Sequence, residues 1–365
     1  MNTLTKQSPM MAQWSACKQK AKEALLLFRL GDFYEAFYDD AKNLSDAVDV
    51  TLTKRQGIPM SGVPAHAAEG YIEKLVEKGF LVAIAEQVED PKMVKGLVKR
   101  EVVRVVSPGT LLSSLPESDN NFFGCVCALN QTYALALLDL STGELRVSEV
   151  NTLKELQDEL TRRNPSEILL SAKDHQTFAS VLKELPLRVT KKDPWHFDPQ
   201  NGYNTLKNHF NVHSLDGYGL QGKTAAAAAA GALLSHVQEE LALPTQHIQS
   251  IHFDELSSYM SIDQATQKNL ELTEPLHKGG KNFTLLKLLD HTQTPMGARL
   301  FKGWLTHPLL SPHEIQKRQE GIEELQSLTT LKESLRPIRD LERLMMRISS
   351  GNASPKDLIA LKVSL

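Results

Sequence analysis

The hydrophobic pattern of this chain changes period near Pro244, and that change constrains the fold more than any other feature. Before it, apolar runs of strand length alternate with amphipathic helical stretches. From about Ser261 onward the spacing is helical, with few β-branched runs. No single layer arrangement accommodates both, so the 365 residues read as a multidomain α/β chain ending in an all-α region.

Residues 1–115 make the first expected domain, a mixed α/β unit. Ala24–Leu30 reads as a buried strand, Asp40–Val48 and Tyr71–Lys78 as helices and Phe80–Gln87 as a strand, with Gly and Pro punctuating the intervals. Leu111–Asn121, which contains Ser113, Ser114, Pro116, Ser118 and Asp119, has linker composition. The second expected domain, 116–245, opens with the runs Phe122–Leu129, Tyr133–Leu140 and Glu144–Val150. Short turns join them into a three-strand meander. Amphipathic Leu153–Arg163, a short strand at Glu167–Leu170 and an alanine-rich helix over Ala225–Ala242 complete a mixed sheet flanked by helices. The third expected domain, 246–365, carries helical patterns at Phe283–Asp290, Arg299–Leu305, Gln316–Leu328 and Leu331–Ile348. Ser354 and Pro355 suit an N-cap and first helical position, and the stripe Leu358, Leu361, Leu365 stops without a C-cap, as expected of a piece of a longer protein.

Charge and cysteine content narrow the function classes. With 41 Lys+Arg against 44 Asp+Glu the formal net charge is −3, which excludes a surface that is cationic throughout but leaves room for a local basic strip. Three cysteines, Cys17, Cys125 and Cys127, cannot build a disulfide framework, and a reducing cytoplasm is the expected setting. Charges break every apolar run before membrane-spanning length, so no membrane partner is expected.

Four groups of residues are candidates for chemistry. In an extended Phe33-Tyr34-Glu35-Ala36, Phe33 and Glu35 share one face; they are either a core aromatic with a solvated acid or, on an open face, a functional pair. Lys92, Lys95, Lys99, Arg100 and Arg104 lie close together, with Glu101 the only acid after Asp90, and form either a solvated face or a phosphate-binding strip. Gly217-Tyr218-Gly219-Leu220-Gln221-Gly222-Lys223-Thr224 satisfies the phosphate-loop pattern and defines the alternative, an independent P-loop NTPase module. That loop requires a buried strand directly before it, and polar Asn208–Ser214 does not supply one, so a glycine loop leading into the alanine helix is the preferred account. Asp139, Glu144 and Glu149 raise metal-dependent nuclease chemistry, but too few acids converge, and solvated strand-end carboxylates are preferred. The histidines show no ligand spacing, so neither a metal site nor a catalytic set is expected.

Four ordered motifs alter the weighting: Gly31–Ala41, Asp49–Arg55, Ile58–Ala67 and Val102–Thr110. Together with Asp139–Gly143, Asp263–Leu272 and Thr294–Leu300, they resemble the N-terminal portion of the MutS family of bacterial DNA mismatch-recognition proteins over essentially the whole chain. The resemblance implies a mismatch-binding domain, a ribonuclease-H-like connector and the start of a helical core and lever. It implies that Phe33 is a wedge inserted beside a mispaired base and that Glu35 hydrogen-bonds that base. A mismatched step unstacks more cheaply than a paired one, so such a wedge selects by deformability. Glu35, read as an uncompensated carboxylate, would repel intact duplex and be offset only at a lesion. Lys54, Arg55, Lys99, Arg100 and Arg104 become backbone candidates, with Pro59 and Met60 against the minor groove. The loop before Ile58 is often longer in the family, so Lys54 and Arg55 both stay open. The resemblance also implies a MutL-type partner through the connector, a homodimer, nucleoid association, and ATP/ADP with Mg in a C-terminal ATPase domain beyond Leu365.

Overall fold

The computed structural model describes residues 8–89, 96–111, 116–183, 185, 187–276, 283–328, 330–351 and 353–365. They divide into two compact units. The first holds the described residues up to 111 with His236–Leu243, and the second holds those from 116 to Ser235 and from Pro244 onward. Of the expected linker, residues 112–115 lie outside the described residues.

The first unit runs α1 (Pro9–Ala21), β1 (Leu25–Leu30), β2 (Phe33–Phe37), α2 (Tyr38–Val48), β3 (Thr53–Arg55), β4 (Ile58–Pro64), α3 (Ala68–Glu77), β5 (Val82–Gln87) and β6 (Arg100–Val106). Its six-stranded sheet has the order β3-β4-β2-β1-β5-β6 and is antiparallel except between β1 and β5. Both faces of β1 are covered, which explains its unbroken apolar run. Leu25 and Leu27 pack with Leu44, Ile72 and Leu75 from α2 and α3. Leu26 and Phe28 pack with Met11, Trp14 and Cys17 from α1. Helix α1 was not among the elements expected from the sequence; Ser8 caps it, accepting from Met11 N at 3.4 Å, and Met11, Trp14, Cys17 and Ala21 are its buried side.

Two tight hairpins set the register. Gly31 has φ +61 as the first of two residues between Leu30 and Phe33, the position where a II′ turn requires glycine. Gln56 and Gly57 have φ +51 and +83 between Arg55 and Ile58, the double positive φ of a I′ turn.

The second unit contains β7 (Phe122–Leu129), β8 (Thr132–Asp139), β9 (Glu144–Val150), α4 (Leu153–Arg163), β10 (Glu167–Ser171), α5 (His175–Leu182), β11 (Arg188–Lys192), α6 (Pro199–Phe210), α7 (Thr224–Ser235) and β12 (His252–Phe253). The sheet order is β11-β10-β7-β8-β9-β12, an antiparallel β7-β8-β9 meander with parallel strands added at both ends. Helices α4 and α5 bury Leu156, Leu160, Phe178 and Val181 against Val126, Leu135, Ile168 and Leu170. Residues 225–234 of α7 are all buried. Alanine suits this helix because it crosses α6 at backbone contact: a Cβ on Gly231 would meet Gly202 Cα at 2.2 Å. The expected Ala225–Ala242 helix ends at Ser235, continues as a π-helical turn over His236–Glu240, and its last residues group with the first unit.

Seven helices follow among the described residues: α8 (Gln264–Asn269), α9 (Leu285–Leu289), α10 (Pro295–Thr306), α11 (Pro312–Gln326), α12 (Leu331–Leu335), α13 (Leu341–Ser349) and α14 (Pro355–Ser364). Ser354 caps α14 in a capping box with Asp357. The continuous helical pattern expected over Leu331–Ile348 is two helices, because Pro337 cannot continue the first and Asp340 caps the second. By contacts, residues 246–365 and the β7–β12 sheet fall in one compact unit.

Candidate nucleic-acid interface

Strand β2 alternates strictly about its buried middle. Tyr34 and Ala36 face α2 and α3, while Phe33, Glu35 and Phe37 face the α1 side. Helix α1 covers only part of that side: Phe37 is fully buried against Trp14, with ring centroids 6.0 Å apart, whereas Phe33 is 48% exposed. A large aromatic thus stands in solvent at the hairpin tip, with Leu30 and Pro64 as its cross-strand neighbours.

The register extends this face. Glu35 is opposite Gly62, Phe37 opposite Met60, Met60 opposite Thr53, and Ile58 opposite Arg55. Directly paired residues share a face, so Arg55 and Met60 lie on the Phe33 side while Lys54 and Pro59 lie on the other. Arg55 Nη1 donates to Glu35 Oε2 at 3.1 Å. Glu35 is therefore not the uncompensated carboxylate expected from the sequence, because a neighbouring edge strand supplies its counter-charge. Met60 is half-buried and packs against the α1-side core; Pro59 is half-buried as well.

On the opposite face Tyr34 donates to Glu86, and Arg29 lies 5.2 Å from the Tyr34 ring centroid and 3.7 Å from Glu86. Burial and the Glu86 carboxylate push the Tyr34 phenol up to about 12, so it stays protonated and donating. This arrangement anchors β2 from behind. Sequence spacing did not reveal it, since Glu86 comes from β5, 52 residues beyond Tyr34.

The basic strip is broken. Lys92 and Lys95 lie outside the described residues. Lys99 is exposed and bonded to Glu101 at 2.8 Å, and Arg104 is paired with Glu69. Arg100 is a correction: it is 8% exposed, with Nε donating to Arg29 O at 2.6 Å, Nη1 to Val98 O at 2.8 Å, and its guanidinium 5.3 Å from the Phe28 ring centroid. Its donors serve the domain interior, so it is not an exposed phosphate contact. Lys54 is exposed with no ion pair among the described residues.

Among its described residues the second unit offers no site of the alternative kinds. A 3₁₀ turn at Asp216–Tyr218 precedes Gly219, with no strand among the described residues there. The N-terminus of α7 is filled by a carboxylate, since Ala226 N donates to Glu149 Oε1 at 3.0 Å, and Lys223 lies 3.9 Å from the same group. A phosphate would have to displace Glu149. Asp139 is fully buried and accepts from Ser141 N, Ser141 Oγ, Asn120 Nδ2 and Asn121 N at 2.6–3.2 Å, organising a turn. No group of acids, histidines or cysteines suited to a metal occurs among the described residues. No helix among them is long and apolar enough to cross a membrane.

Family models described as MutS domain I, MutS domain II and MutS domain III match residues 8–114, 121–249 and 265–365. The chain is 52% identical to the DNA mismatch repair protein MutS of Protochlamydia amoebophila over 370 residues, covering 99% of this chain and 43% of that protein. It is 44% identical to the protein of that name from Chlamydia abortus, covering 100% of this chain and 46% of the relative. Against that of Symbiobacterium thermophilum the identity is 41%, over 99% and 43%. The chain spans less than half the length of these relatives, so the family's ATPase portion is not among its residues. With all three domains matched in order, the chain belongs to the MutS family and comprises its domains I, II and III.

Proposed function

We propose that the first unit recognises mismatched or unpaired bases in double-stranded DNA and thereby initiates mismatch repair, with Phe33 as the wedge and Glu35 as the base-bonding carboxylate. The observation that carries this reading is the half-exposed Phe33 ring beside Glu35 on one face of a sheet whose opposite face is anchored. A ring presented on a rigid hairpin can enter a base step only where unstacking is cheap, and a lesion is such a step. Glu35 then takes a hydrogen bond from the displaced base, which a stacked Watson–Crick base does not offer. Among the cations, Arg55 is assigned to a phosphate on the strength of its pair with Glu35, Met60 to the minor groove from β4, and Lys54, Lys99 and Arg104 to peripheral backbone contacts.

The second unit fits a connector: the order of its first five strands is that of a ribonuclease-H-like sheet, and it docks the helical segment. We assign to it the MutL-type partner, and to the longer protein the homodimer, ATP/ADP with Mg, and a cytoplasmic, nucleoid-associated setting. Phe33→Ala in the full-length protein tests the central assignment. Preference for a mismatched over a paired duplex should fall by about tenfold or more while the melting temperature holds, since unstacking steps are worth a few kcal/mol. Unchanged preference rejects Phe33 as the wedge.

A further inference from the structure

We propose that Arg55 is a specificity-determining residue that acts by exchange: paired with Glu35 on free protein and intact duplex, its guanidinium passes to a backbone phosphate at a lesion and leaves Glu35 to the displaced base. The inference rests on the reading of Glu35 as the base-contacting carboxylate. Three observations carry it. The 3.1 Å contact has one side exposed, with side-chain accessibility of 48% for Arg55 against 17% for Glu35. Such solvent-exposed pairs contribute little, so a phosphate can compete for the guanidinium. Arg55 ends a three-residue edge strand next to the Gln56-Gly57 turn, so it moves without disturbing the sheet centre. Gly62 is the cross-strand partner of Glu35: a Cβ there would meet Tyr34 O at 3.0 Å and Glu35 Cγ at 3.4 Å, so its absence leaves the Glu35 side chain room to change partner.

The electrostatic consequence is specific. On intact duplex the pair is neutral, and Arg55 adds no phosphate contact. At a kinked lesion the cation is released and counter-ions leave the DNA with it, so Arg55 strengthens binding only where Glu35 has found a base.

The test is salt-dependent binding of the full-length protein to paired and mismatched duplexes, for Glu35→Gln, Arg55→Gln, Arg55→Lys and the Glu35→Gln variants of both. Glu35→Gln should tighten paired-duplex binding and steepen its salt slope by about one, because Arg55 is set free, and should not steepen the slope on mismatched DNA. The steepening should vanish when Arg55 is also Gln and persist when it is Lys. Equal tightening with and without the Arg55 cation would show plain repulsion by Glu35 and overturn the exchange alone. An unchanged mismatch preference in Glu35→Gln would overturn both the exchange and the base-contact reading beneath it.

Discussion

Glu35 in the first unit meets one guanidinium across a solvent-exposed gap, whereas Glu159 in the second unit is 2% exposed and accepts from Arg162 at 2.7 Å, Arg163 at 2.8 Å and His307 at 3.2 Å. The same contrast recurs nearby. Lys99 and Arg104 each carry a single, partly solvated acid, while Arg299 is buried against Asp340 at 2.6 Å and also reaches Glu342. Arg343 reaches Asp119 O, and Lys302 pairs with Asp119 at 2.6 Å, so cations of the helical segment grip the start of the β7–β12 domain. Exposed single pairs exchange partners at small cost; buried multiple pairs cannot, because a charge left alone there has no water to replace its partner. The first arrangement suits a surface that meets a polyanion, and the second suits joints that must hold.

The largest effect expected from this contrast is on stability. Asp340→Ala removes the carboxylate between Arg299 and Arg343 and the cap of α13, and should cost about 3–5 kcal/mol in urea unfolding. A loss below about 1 kcal/mol would show that the joint is not held by these charges. Arg100→Ala probes the exception, a fixed cation within the first unit, and should cost about 1–3 kcal/mol without altering the salt slope of DNA binding. A slope reduced by one would return Arg100 to the phosphate contacts.

Next in size is a pH effect confined to the buried joint. Burial holds the His307 imidazole below its ordinary range; the bond to Glu159 offsets part of this, and Arg163 and Arg162 reinforce it. Burial would raise the Glu159 carboxyl, but the bond from His307 and the two arginines outweigh it and hold the group well below the usual carboxylate range. Both folded values lie under the unfolded ones of about 6.5 and 4.3, so the unfolded chain binds more protons in between. Stability should therefore be complete above about pH 6.5 and decline as pH falls. Denaturation at several pH values would show the decline, and His307→Gln should weaken it; an identical profile in that variant would exclude His307 as a contributor. Smallest of all, Glu35→Gln should change stability by no more than about 0.5 kcal/mol and Lys99→Ala by no measurable amount, as expected where water can replace a lost partner. A larger loss in Glu35→Gln would mean that its pair is fixed, and the contrast with Glu159 would disappear.

Much of the architecture was legible before any coordinates. The β7-β8-β9 meander, the α4 helix and the Ser354 cap follow from local spacing and turn chemistry, which act within a few residues. The break at Pro337 was legible in principle but was masked by the helical periodicity around it. Strands β3, β4 and β11 carry weak local signals, and pairing with distant residues stabilises them.

By itself the sequence determined that Phe33 and Glu35 share a face, since strand alternation needs only adjacent residues. It also determined that glycine would turn the chain at Gly31 and Gly57, because positive φ suits residues without a Cβ. Only the tertiary structure decided which face was open, that Arg55 would neutralise Glu35 from 20 residues away, that Arg100 would turn inward, and that Glu149 would occupy the start of α7. These outcomes depend on strand order and register. They join charges remote in sequence, and whether such charges stay free, pair or are buried depends on the solvent that the surrounding elements exclude.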